Sequence, residues 1–535
     1  HSVFPNSTDA DFDFNRDSDA TRVNSEGLIE RVGYYGSELV TNGDFSNGTN
    51  NWSFTDANGQ VGSYFSRNEV CEIDFTNTST IYASQSSILS NSKSYKITLD
   101  YYIPSTNASA NYIQVRLGTT SSTSALTPNL NVLDNWTSAT LYGVSNGTDL
   151  YIYTPSGAIG DKFYIDNVSV VEITGDRARL NYEIEGGLVN TKPSLLLEPQ
   201  STNLVTYSED FSQWVVDGQA SISSNSIISP DGTRNSDKLI AGTTSGRQAI
   251  KFSVSQTGNL AFSIFAKKEE YSAIQLSDAQ NASAFANFNL ETGVVGSTGV
   301  YTASMVDMGN DWYRCIITWN ASVAINAIRV GIVTTATSAR VEQFAGNGIN
   351  GLYIYGAQLE QLSYATSYIP TNGSTQTRAA ETCNGAGTSS ILPSEEGILY
   401  AEIAALESPT TSALDISISN GATTNYVRLE YYTDGKIYGT IYDGSFAAGS
   451  ATVTQTNFNK IAVQWKSSGS KFALNGVITD FTGKTFSANT FNTLQFAAGN
   501  GTSAPYYGKI RDIRVYNTKE MTDSEVDILL TKITS

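Results

Sequence analysis

Apolar and polar residues alternate along most of this 535-residue chain. Residues 95–101, 260–265 and 510–515 are three such strings, and clusters of Gly, Asn and Ser separate them from their neighbours. Since successive side chains of a strand point to opposite faces, this period of two predicts antiparallel strands with one buried face. Convincing helical spacing, opened by a capping box, occurs only at residues 522–530. The sequence therefore predicts an all-β protein with one short C-terminal helix.

An internal repeat indicates how these strands are grouped. The string Leu-Val-Thr-Asn-Gly-Asp-Phe-Ser at residues 39–46 returns as Leu-Val-Thr-Tyr-Ser-Glu-Asp-Phe-Ser at residues 204–212. A tryptophan follows each copy, Trp52 in the first and Trp214 in the second. Because a duplication usually preserves packing, we expect both tryptophans to lie in a core and the two copies to open two separate β-sandwich modules.

The charge balance excludes two classes of partner. Lys and Arg number 32 against 51 Asp and Glu, which gives a net charge of −19. Such a chain repels the phosphates of nucleic acids and of anionic lipids. Its apolar runs are a few residues long, whereas a membrane-spanning helix needs about 20. We therefore expect no nucleic-acid partner and no membrane insertion.

Histidine and cysteine usage excludes several catalytic and metal sites. His1 is the only histidine, and Cys71, Cys315 and Cys383 lie far apart in the sequence. Catalytic triads and His-based metal sites would depend on a terminal residue that we expect to be mobile. Three separated cysteines do not make a disulfide framework or a tetrahedral zinc site.

Paired carboxylates remain as a catalytic possibility, and they are the groups that hydrolyse glycosidic bonds. Glu72, Asp74 and Asn77 come close to the Glu-x-Asp-x-x-Glu strand of laminarinase-type glycosidases, where alternate acids point into one cleft. Asn77 stands where that pattern has its third acid. We therefore expect the chain not to be an enzyme.

The first repeat unit resembles jelly-roll carbohydrate-binding modules. The resemblance rests on the Asn-Gly-Asp-Phe opening at residues 42–45, on Trp52 and on the Asp-Asn-Val-Ser-Val closing at residues 166–170. It implies a jelly-roll fold and glycan binding. It also implies a structural calcium between the two segments, with Asp44 and Asp166 as ligands. Alternatively, these two acids only cap turns.

Tyrosine pairs favour glycan contacts, because adjacent residues of a strand send one ring to each face and one of the two is then exposed. Exposed rings stack on the apolar faces of sugars, and neighbouring polar groups bond the hydroxyls. In the first module we predict such contacts at Tyr82, Tyr112, Trp136 and Tyr142.

The second repeat unit resembles a domain of tailed-bacteriophage structural and tail-fibre proteins. Five motifs carry this resemblance, from Pro-Ser-Leu-Leu-Leu-Glu-Pro-Gln to Thr-Arg-Ala-Ala, at residues 193–204, 207–212, 356–360, 365–371 and 377–380. Residues 12–30 resemble the lead-in of the same proteins, which there continues directly into a segment like residues 178–182. A complete module intervenes here, so we interpret it as an insertion with adjacent ends, and we expect residues 22–30 and 178–184 to pair as strands.

The last part of the chain resembles a laminin-G or concanavalin-like sandwich, through residues 397–402, 457–465 and 508–516. The expected fold is therefore three antiparallel β-sandwich modules, of jelly-roll or concanavalin-like type, in tandem. The expected divisions are a lead-in at 1–37 that packs with 174–202, an inserted jelly roll at 38–173, a phage-type sandwich at 174–382, a linker at 383–396 and a laminin-G-like sandwich at 397–535.

These resemblances imply a non-enzymatic structural protein of a bacteriophage virion, in a tail or head fibre. We expect it to be a homo-oligomer on the particle surface that contacts other virion proteins and binds host cell-surface glycans. Two alternatives remain open. One is a secreted or cell-surface bacterial protein for glycan binding or adhesion, and the other is a polysaccharide depolymerase.

Overall fold

The fold comes from a computed structural model, which describes residues 11–535 except 17, 57–62, 68–69, 77, 110, 122–123, 125, 127–128, 155–156 and 175–176. Strands dominate this described part, and its single α-helix is α1 (Asp523–Thr534). The all-β fold class is therefore confirmed. Among the described residues, no helix is long and apolar enough to cross a membrane.

The lead-in contains three short strands, β1 (Asp13–Asn15), β2 (Thr21–Val23) and β3 (Ile29–Arg31). β2 and β3 form an antiparallel hairpin, in which Thr21 lies opposite Arg31. Asn24 closes its turn, since the Asn24 side chain accepts hydrogen bonds from the backbone nitrogens of Glu26 and Leu28.

The first module (residues 34–174) is a two-sheet sandwich. Its strands are β4 (Tyr34–Glu38), β5 (Ser53–Asp56), β6 (Ser63–Arg67), β7 (Val70–Asp74), β8 (Ile81–Gln85), β9 (Ser94–Tyr102), β10 (Gln114–Gly118), β11 (Thr137–Val144), β12 (Asp149–Thr154) and β13 (Lys162–Thr174). One sheet has the order β11-β9-β13-β7-β6, with β4 also paired to β13, and the other has the order β10-β12-β8-β5. Alternate residues such as Ile97, Ile152 and Ile165 are fully buried between the two sheets.

The strands that follow run from residue 179 to residue 384. They are β14 (Arg179–Asn181), β15 (Ile184–Glu185), β16 (Leu188–Val189), β17 (Ser194–Leu197), β18 (Ser201–Asn203), β19 (Val215–Val216), β20 (Ser221–Ile227), β21 (Ser236–Ile240), β22 (Gly246–Lys267), β23 (Ala273–Asp278), β24 (Phe285–Asn289), β25 (Val294–Thr298), β26 (Thr302–Asp307), β27 (Trp312–Ile332), β28 (Gln343–Phe344), β29 (Gly351–Glu360), β30 (Gln376–Arg378) and β31 (Thr382–Asn384).

The middle sandwich (residues 201–378) is organised around two long strands, β22 and β27, which pair with each other along most of their length. They belong to a sheet with the order β20-β21-β29-β22-β27-β23-β24-β25. Phe262, Ile317 and Leu359, from β22, β27 and β29, are fully buried in its core.

The C-terminal sandwich is formed by α1 and the last ten strands. These strands are β32 (Gly397–Ala405), β33 (Leu414–Ser419), β34 (Tyr426–Tyr431), β35 (Lys436–Tyr442), β36 (Phe446–Thr452), β37 (Asn459–Trp465), β38 (Ser470–Leu474), β39 (Val477–Phe481), β40 (Thr493–Gln495) and β41 (Gly508–Asn517). One sheet has the order β36-β35-β34-β33-β40, and the other has the order β14-β17-β41-β32-β37-β38-β39. The capping box of α1 is confirmed, with Thr522 and Glu525 bonded reciprocally.

Two strands from the segment 174–202 thus extend a sheet of the C-terminal sandwich. β17 pairs with β41, where Leu195 lies opposite Ile510, and β14 pairs with β17. All four residues of β17 are buried. A four-residue run buried on both faces needs a sheet position that is covered on both sides, and the edge of β41 provides it.

The lead-in packs with residues 174–202 as expected, since Phe12, Phe14, Leu195 and Leu197 share one core, but this core belongs to the C-terminal sandwich and not to the middle one. β1 pairs with β31, and Phe12 and Phe14 are buried in the core of the C-terminal sandwich. The expected linker 383–396 is part of the same core, through buried Cys383 and Leu392. β2 pairs with β3 instead of residues 178–184. It still contacts that segment, through hydrogen bonds from Tyr182 N to Val23 O at 3.0 Å and from Arg179 Nη1 to Thr21 O at 2.9 Å.

The two ends of the first module lie next to each other. β4 and β13 are antiparallel, with Tyr34 opposite Thr174 and Glu38 opposite Val171. The chain therefore leaves the lead-in and returns to β14 from neighbouring positions, as an inserted module requires.

Candidate functional site

The outer face of the sheet β10-β12-β8-β5 carries a group of tyrosines. Along β12, Leu150, Ile152 and Thr154 are buried, and Tyr151 and Tyr153, which alternate with them, are half-buried. This alternation follows from the period of two, which turns every second side chain outward. The sheet therefore presents aromatic rings on the face opposite its core.

Strand register places these rings side by side. Tyr153 lies directly opposite Tyr82 of β8 on one side and Gln114 of β10 on the other. The ring centroid of Tyr82 is 5.6 Å from that of Tyr153 and 5.9 Å from that of Tyr151. We call Tyr82, Tyr151 and Tyr153, with Arg116, the tyrosine platform.

Two polar side chains, Arg116 and Asp149, hold the rings of Tyr153 and Tyr151 in position. The Arg116 guanidinium lies 3.7 Å from the ring centroid of Tyr153 and donates from Nη2 to Gln114 Oε1 at 2.8 Å. The Tyr151 hydroxyl donates to Asp149 Oδ2 at 3.0 Å. Burial, together with this hydrogen bond to Asp149, raises the pKa of Tyr151, so its hydroxyl keeps its proton at neutral pH.

Of the four predicted contact residues, Tyr82 and Tyr112 lie at this surface. Tyr82 is in the centre of the platform, because its ring contacts both other tyrosines. Tyr112 lies just before β10, close enough to Tyr153 for the two hydroxyls to influence each other's ionisation. Burial raises the pKa of Tyr112, so this hydroxyl also remains protonated.

Trp136 lies on the other sheet of the module. It precedes β11, is 47% exposed, and contacts the rings of Tyr102 and Tyr164, with centroid distances of 5.9 and 6.5 Å. Tyr102 and Tyr164 lie opposite each other on β9 and β13. Trp136 therefore belongs to a second aromatic group, apart from the platform.

Tyr142 is in a third place, facing the lead-in. The Arg31 guanidinium lies 4.6 Å from the ring centroid of Tyr142. Burial and the neighbouring Tyr35 raise the pKa of Tyr142. The four residues predicted from sequence thus divide among three surfaces.

The sequence prediction missed Tyr151, Tyr153 and Arg116. The string Asp-Leu-Tyr-Ile-Tyr-Thr at residues 149–154 contains the signal, since two tyrosines at alternate positions must share one face of a strand. Which residues of β8 and β10 lie beside these tyrosines depends on strand pairing, and the sequence alone does not reveal that pairing.

Trp52 and Trp214 are confirmed as core residues, 7% and 5% exposed. Each packs against the phenylalanine of its own repeat, stacked on Phe45 with centroids 5.3 Å apart and tilted against Phe211 with centroids 5.2 Å apart. Each indole also donates to a backbone carbonyl at 3.0 Å. The two repeats therefore share a packing motif and not a ligand site.

The two acids of the expected calcium site are engaged in local turns. Asp44 Oδ1 accepts hydrogen bonds from the backbone nitrogen and hydroxyl of Ser46, at 3.2 and 2.9 Å, and these bonds lower the pKa of Asp44. Asp166 Oδ1 accepts from Asn167 N at 2.7 Å. Across the described ranges, no group of three or more His, Cys, Asp or Glu is placed to hold a metal ion. Calcium takes about six to eight oxygens, including backbone carbonyls, so these two acids would supply only a part of such a site, and both the calcium site and turn capping stay predictions.

Glu72 and Asp74, the two acids that resemble those of a glycosidase strand, both form ion pairs with Lys162. Lys162 Nζ lies 2.5 Å from Glu72 and 2.9 Å from Asp74. One lysine therefore engages both acids, which a glycosidase would use on its substrate. Asn77, the third position of that pattern, lies outside the described residues.

Comparison with solved structures gives matches of low identity. The first is titled CBM4 structure and function, with 19% identity, a TM-score of 0.20, and coverage of 25% of this chain and 99% of the other. The tandem CBM22 domains of Paenibacillus barcinonensis Xyn10C match with 10% identity, a TM-score of 0.24, and coverage of 62% and 98%. Mouse laminin α1 domains LG4-5 match with 10% identity, a TM-score of 0.19, and coverage of 51% and 86%. At these values the matches assign no function.

No curated protein matches the chain. Residues 401–527 match a family described as the Concanavalin A-like lectin/glucanases superfamily. This confirms the concanavalin-like sandwich that the sequence predicts at the C-terminus.

Proposed function

We propose that this chain is a glycan-binding protein and that the tyrosine platform is its binding surface. The observation that carries the proposal is the register that places Tyr82, Tyr151 and Tyr153 side by side on one sheet face. Such rings offer apolar surface to the CH faces of a sugar, and their hydroxyls offer hydrogen bonds at the edge. Arg116 is 6% exposed, so its part is to hold the Tyr153 ring in place.

The broader proposal is a structural protein of a bacteriophage virion, in a tail or head fibre. It is supported by the motifs within residues 193–380 that resemble tail-fibre proteins. In this setting the protein is a homo-oligomer on the particle surface, held by other virion proteins, and its platform engages glycans of the host cell. A secreted or surface-bound bacterial adhesion protein is the alternative.

The proposed role is binding without catalysis. The ion pairs of Lys162 with Glu72 and Asp74 support this, since they engage both acids of the near-match to a glycosidase strand. Incubation with bacterial polysaccharides should release no reducing ends. Release that disappears in Glu72→Gln would contradict this part of the proposal and favour a depolymerase.

Binding is tested on an array of bacterial surface polysaccharides and their oligosaccharide fragments. Tyr82→Ala and Tyr151→Ala should each weaken binding about two- to tenfold, the loss expected for one stacked ring. Tyr432→Ala is the matched control, because Tyr432 is 45% exposed and pairs with Tyr438 in the C-terminal sandwich. Equal binding by all three variants would reject the platform.

The virion assignment needs its own experiment. Antibodies against the chain, applied to purified phage particles from the source and viewed by electron microscopy, should label a tail or head appendage. Labelling of bacterial cells in the absence of particles would instead support the adhesion protein.

A further inference from the structure

Four basic side chains gather at one place on the middle sandwich, in a chain that has only 32 Lys and Arg and a net charge of −19. Arg247 and Lys251 lie on β22, Arg329 lies on β27, and Arg340 lies between β27 and β28. Lys251 is directly opposite Arg329, so the two side chains share one face of the sheet. Val330, the next residue of β27, is fully buried in the core, so this face is the outer one.

Three of these cations converge on the carboxylate of Asp217. Arg329 donates from Nε to Asp217 Oδ2. Arg247 Nη2 and Lys251 Nζ lie 3.6 and 3.4 Å from Asp217 Oδ1. Burial opposes the ionisation of Asp217, but Arg329, Arg247 and Lys251 outweigh that effect and lower its pKa. One negative charge is therefore shared among three positive charges.

Arg340 adds a fourth positive charge beside Arg329. Both guanidinium groups donate to the carbonyl oxygen of Asp278, Arg329 from Nη1 at 3.2 Å and Arg340 from Nη2 at 2.7 Å. Burial and the neighbouring Arg329 lower the pKa of Arg340. Like charges thus lie close together here, where a further negative charge would stabilise both.

Two other acids near the cluster are bonded to neutral donors. Asp278 Oδ1 accepts from the backbone nitrogens of Gln280 and Asn281, at 2.8 and 2.6 Å. The Glu342 carboxylate accepts from the backbone nitrogen and the hydroxyl of Thr334, both at 2.7 Å. In the described part of the chain, Asp217 alone forms ion pairs with members of the cluster. The four cations therefore share one directly paired carboxylate.

Arg247 and Lys251 form the accessible part of the cluster. Their side chains are 43% and 31% exposed, and both head groups lie within 4 Å of the same Asp217 oxygen. They therefore lie close enough together to donate to one anionic group from solvent. Val215, opposite Lys251 on β19, is 53% exposed and adds apolar surface beside them. A ligand with a negative charge next to an apolar face fits this arrangement.

We propose that the basic site, formed by Arg247, Lys251, Arg329 and Arg340, binds the acidic group of a glycan, either a carboxylate or a phosphate. Arg247 and Lys251 donate to its oxygens, Val215 contacts the sugar ring that carries it, and Arg329 and Arg340 add positive potential from behind. Because the whole chain repels long polyanions, the ligand class is a polysaccharide with isolated acidic groups. The proposal rests on the glycan-binding function proposed above and uses a surface separate from the tyrosine platform.

The test uses the full chain on the array of bacterial polysaccharide fragments. Each acidic fragment is also presented after reduction of its carboxyl groups or after removal of its phosphates, which distinguishes the two kinds of acidic group. Arg247→Gln/Lys251→Gln should bind the untreated acidic fragments at least about tenfold more weakly than the wild type and bind neutral fragments equally. Lys436→Gln is the matched control, because Lys436 is 43% exposed and lies 3.8 Å from Asp434 in the C-terminal sandwich.

Two further measurements do not depend on how well the double variant folds. Arg247→Lys keeps the charge and should retain most of the binding. With the wild type, raising the salt concentration from about 0.05 M to about 0.5 M should weaken binding of acidic fragments and leave that of neutral fragments unchanged.

The outcomes separate the basic site from the platform. If no acidic fragment binds better than its treated copy, or if Arg247→Gln/Lys251→Gln binds acidic fragments as the wild type does, the basic site is wrong. Loss of neutral fragments in Tyr82→Ala/Tyr151→Ala would then still support the platform. If that platform variant loses no glycan but the basic-site variant loses the acidic ones, the platform is rejected and the basic site stands. No binding by the wild type rejects both.

Discussion

Arg16 and Glu381 are 365 residues apart in the sequence, yet Arg16 Nη1 donates to Glu381 Oε1 at 2.8 Å with both side chains shielded from solvent. Glu381 also accepts from Arg179 Nε at 2.8 Å. Arg179 and Arg378 each lie 2.8 Å from Glu198. One buried ionic network therefore joins the lead-in, the segment before the middle sandwich and the segment after it.

Removing one acid from this network should be costly. Glu381→Gln leaves Arg16 without a charge partner in a buried site and leaves Arg179 with Glu198 alone, so we expect a loss of about 3–5 kcal/mol in the free energy of unfolding. Glu395→Gln is the control, because Glu395 pairs with Lys519 at 2.9 Å on the surface and should cost about 1 kcal/mol or less. Urea unfolding measures both, and equal midpoints for the two variants would contradict the expectation.

The adjacent ends of the first module predict that it can be removed. Replacing residues 35–173 by a short Gly-Ser linker should leave the other two sandwiches folded, with melting temperatures close to those of the full chain, because Tyr34 and Thr174 already lie opposite each other. Binding by the tyrosine platform should disappear. Calorimetry and the glycan array measure the two effects.

Deleting residues 1–33 is the contrasting variant. It removes Phe12 and Phe14 from the core of the C-terminal sandwich and Arg16 from the ionic network, so that sandwich should lose most of its stability. A C-terminal sandwich that melts normally without residues 1–33 would show that these contacts do not stabilise it.

The general fold could be predicted from sequence because alternation is a local property. Residues 95–101 show this, since every second residue from Tyr95 to Tyr101 is buried. The position of β17 could not be predicted in the same way, because Leu195, Leu196 and Leu197 form an uninterrupted apolar run. Such a run indicates burial on both faces but does not say which sheet provides it.

The candidate site was predicted only in part for a related reason. Tyr82 was identified as an exposed aromatic residue, but its neighbours Tyr151 and Tyr153 lie about 70 residues away and meet it through strand pairing. Trp136 and Tyr142 are aromatic residues of the first module, as Tyr82 is, and were predicted on that same basis. They lie on other surfaces, because a residue type alone does not specify the sheet that carries it.

Calcium dependence distinguishes turn capping from metal binding. Since Asp44 and Asp166 bond within their own turns, chelation with EGTA should leave the melting temperature of the first module unchanged. Asp44→Asn should then lower that temperature equally with and without calcium. A fall on chelation that is absent in Asp44→Asn/Asp166→Asn would show that the two acids share an ion, since a ligand stabilises the state that binds it.

Stability should depend on pH through the middle sandwich. Burial raises the pKa of Glu209 to about 7 and that of Asp237 also to about 7. Between the ordinary pKa of an acid, about 4, and 7 the folded chain keeps protons that the unfolded chain releases. Stability from these groups is therefore present at pH 5 and is lost as pH rises through 7, so the melting temperature of the middle sandwich should be higher at pH 5.5 than at pH 8.

At acid pH, the loss of stability should come from Glu198. Burial opposes its ionisation, but Arg378 and Arg179 outweigh that effect and lower the pKa of Glu198 to about 2. Its contribution is present above about pH 4.5 and is lost as pH falls toward 2, which should give a stability maximum near pH 5. Glu209→Gln and Asp237→Asn together should flatten the decline between pH 5.5 and pH 8 and leave the acid limb intact. A decline of the same size in this double variant, followed by calorimetry across the pH range, would assign it to other groups.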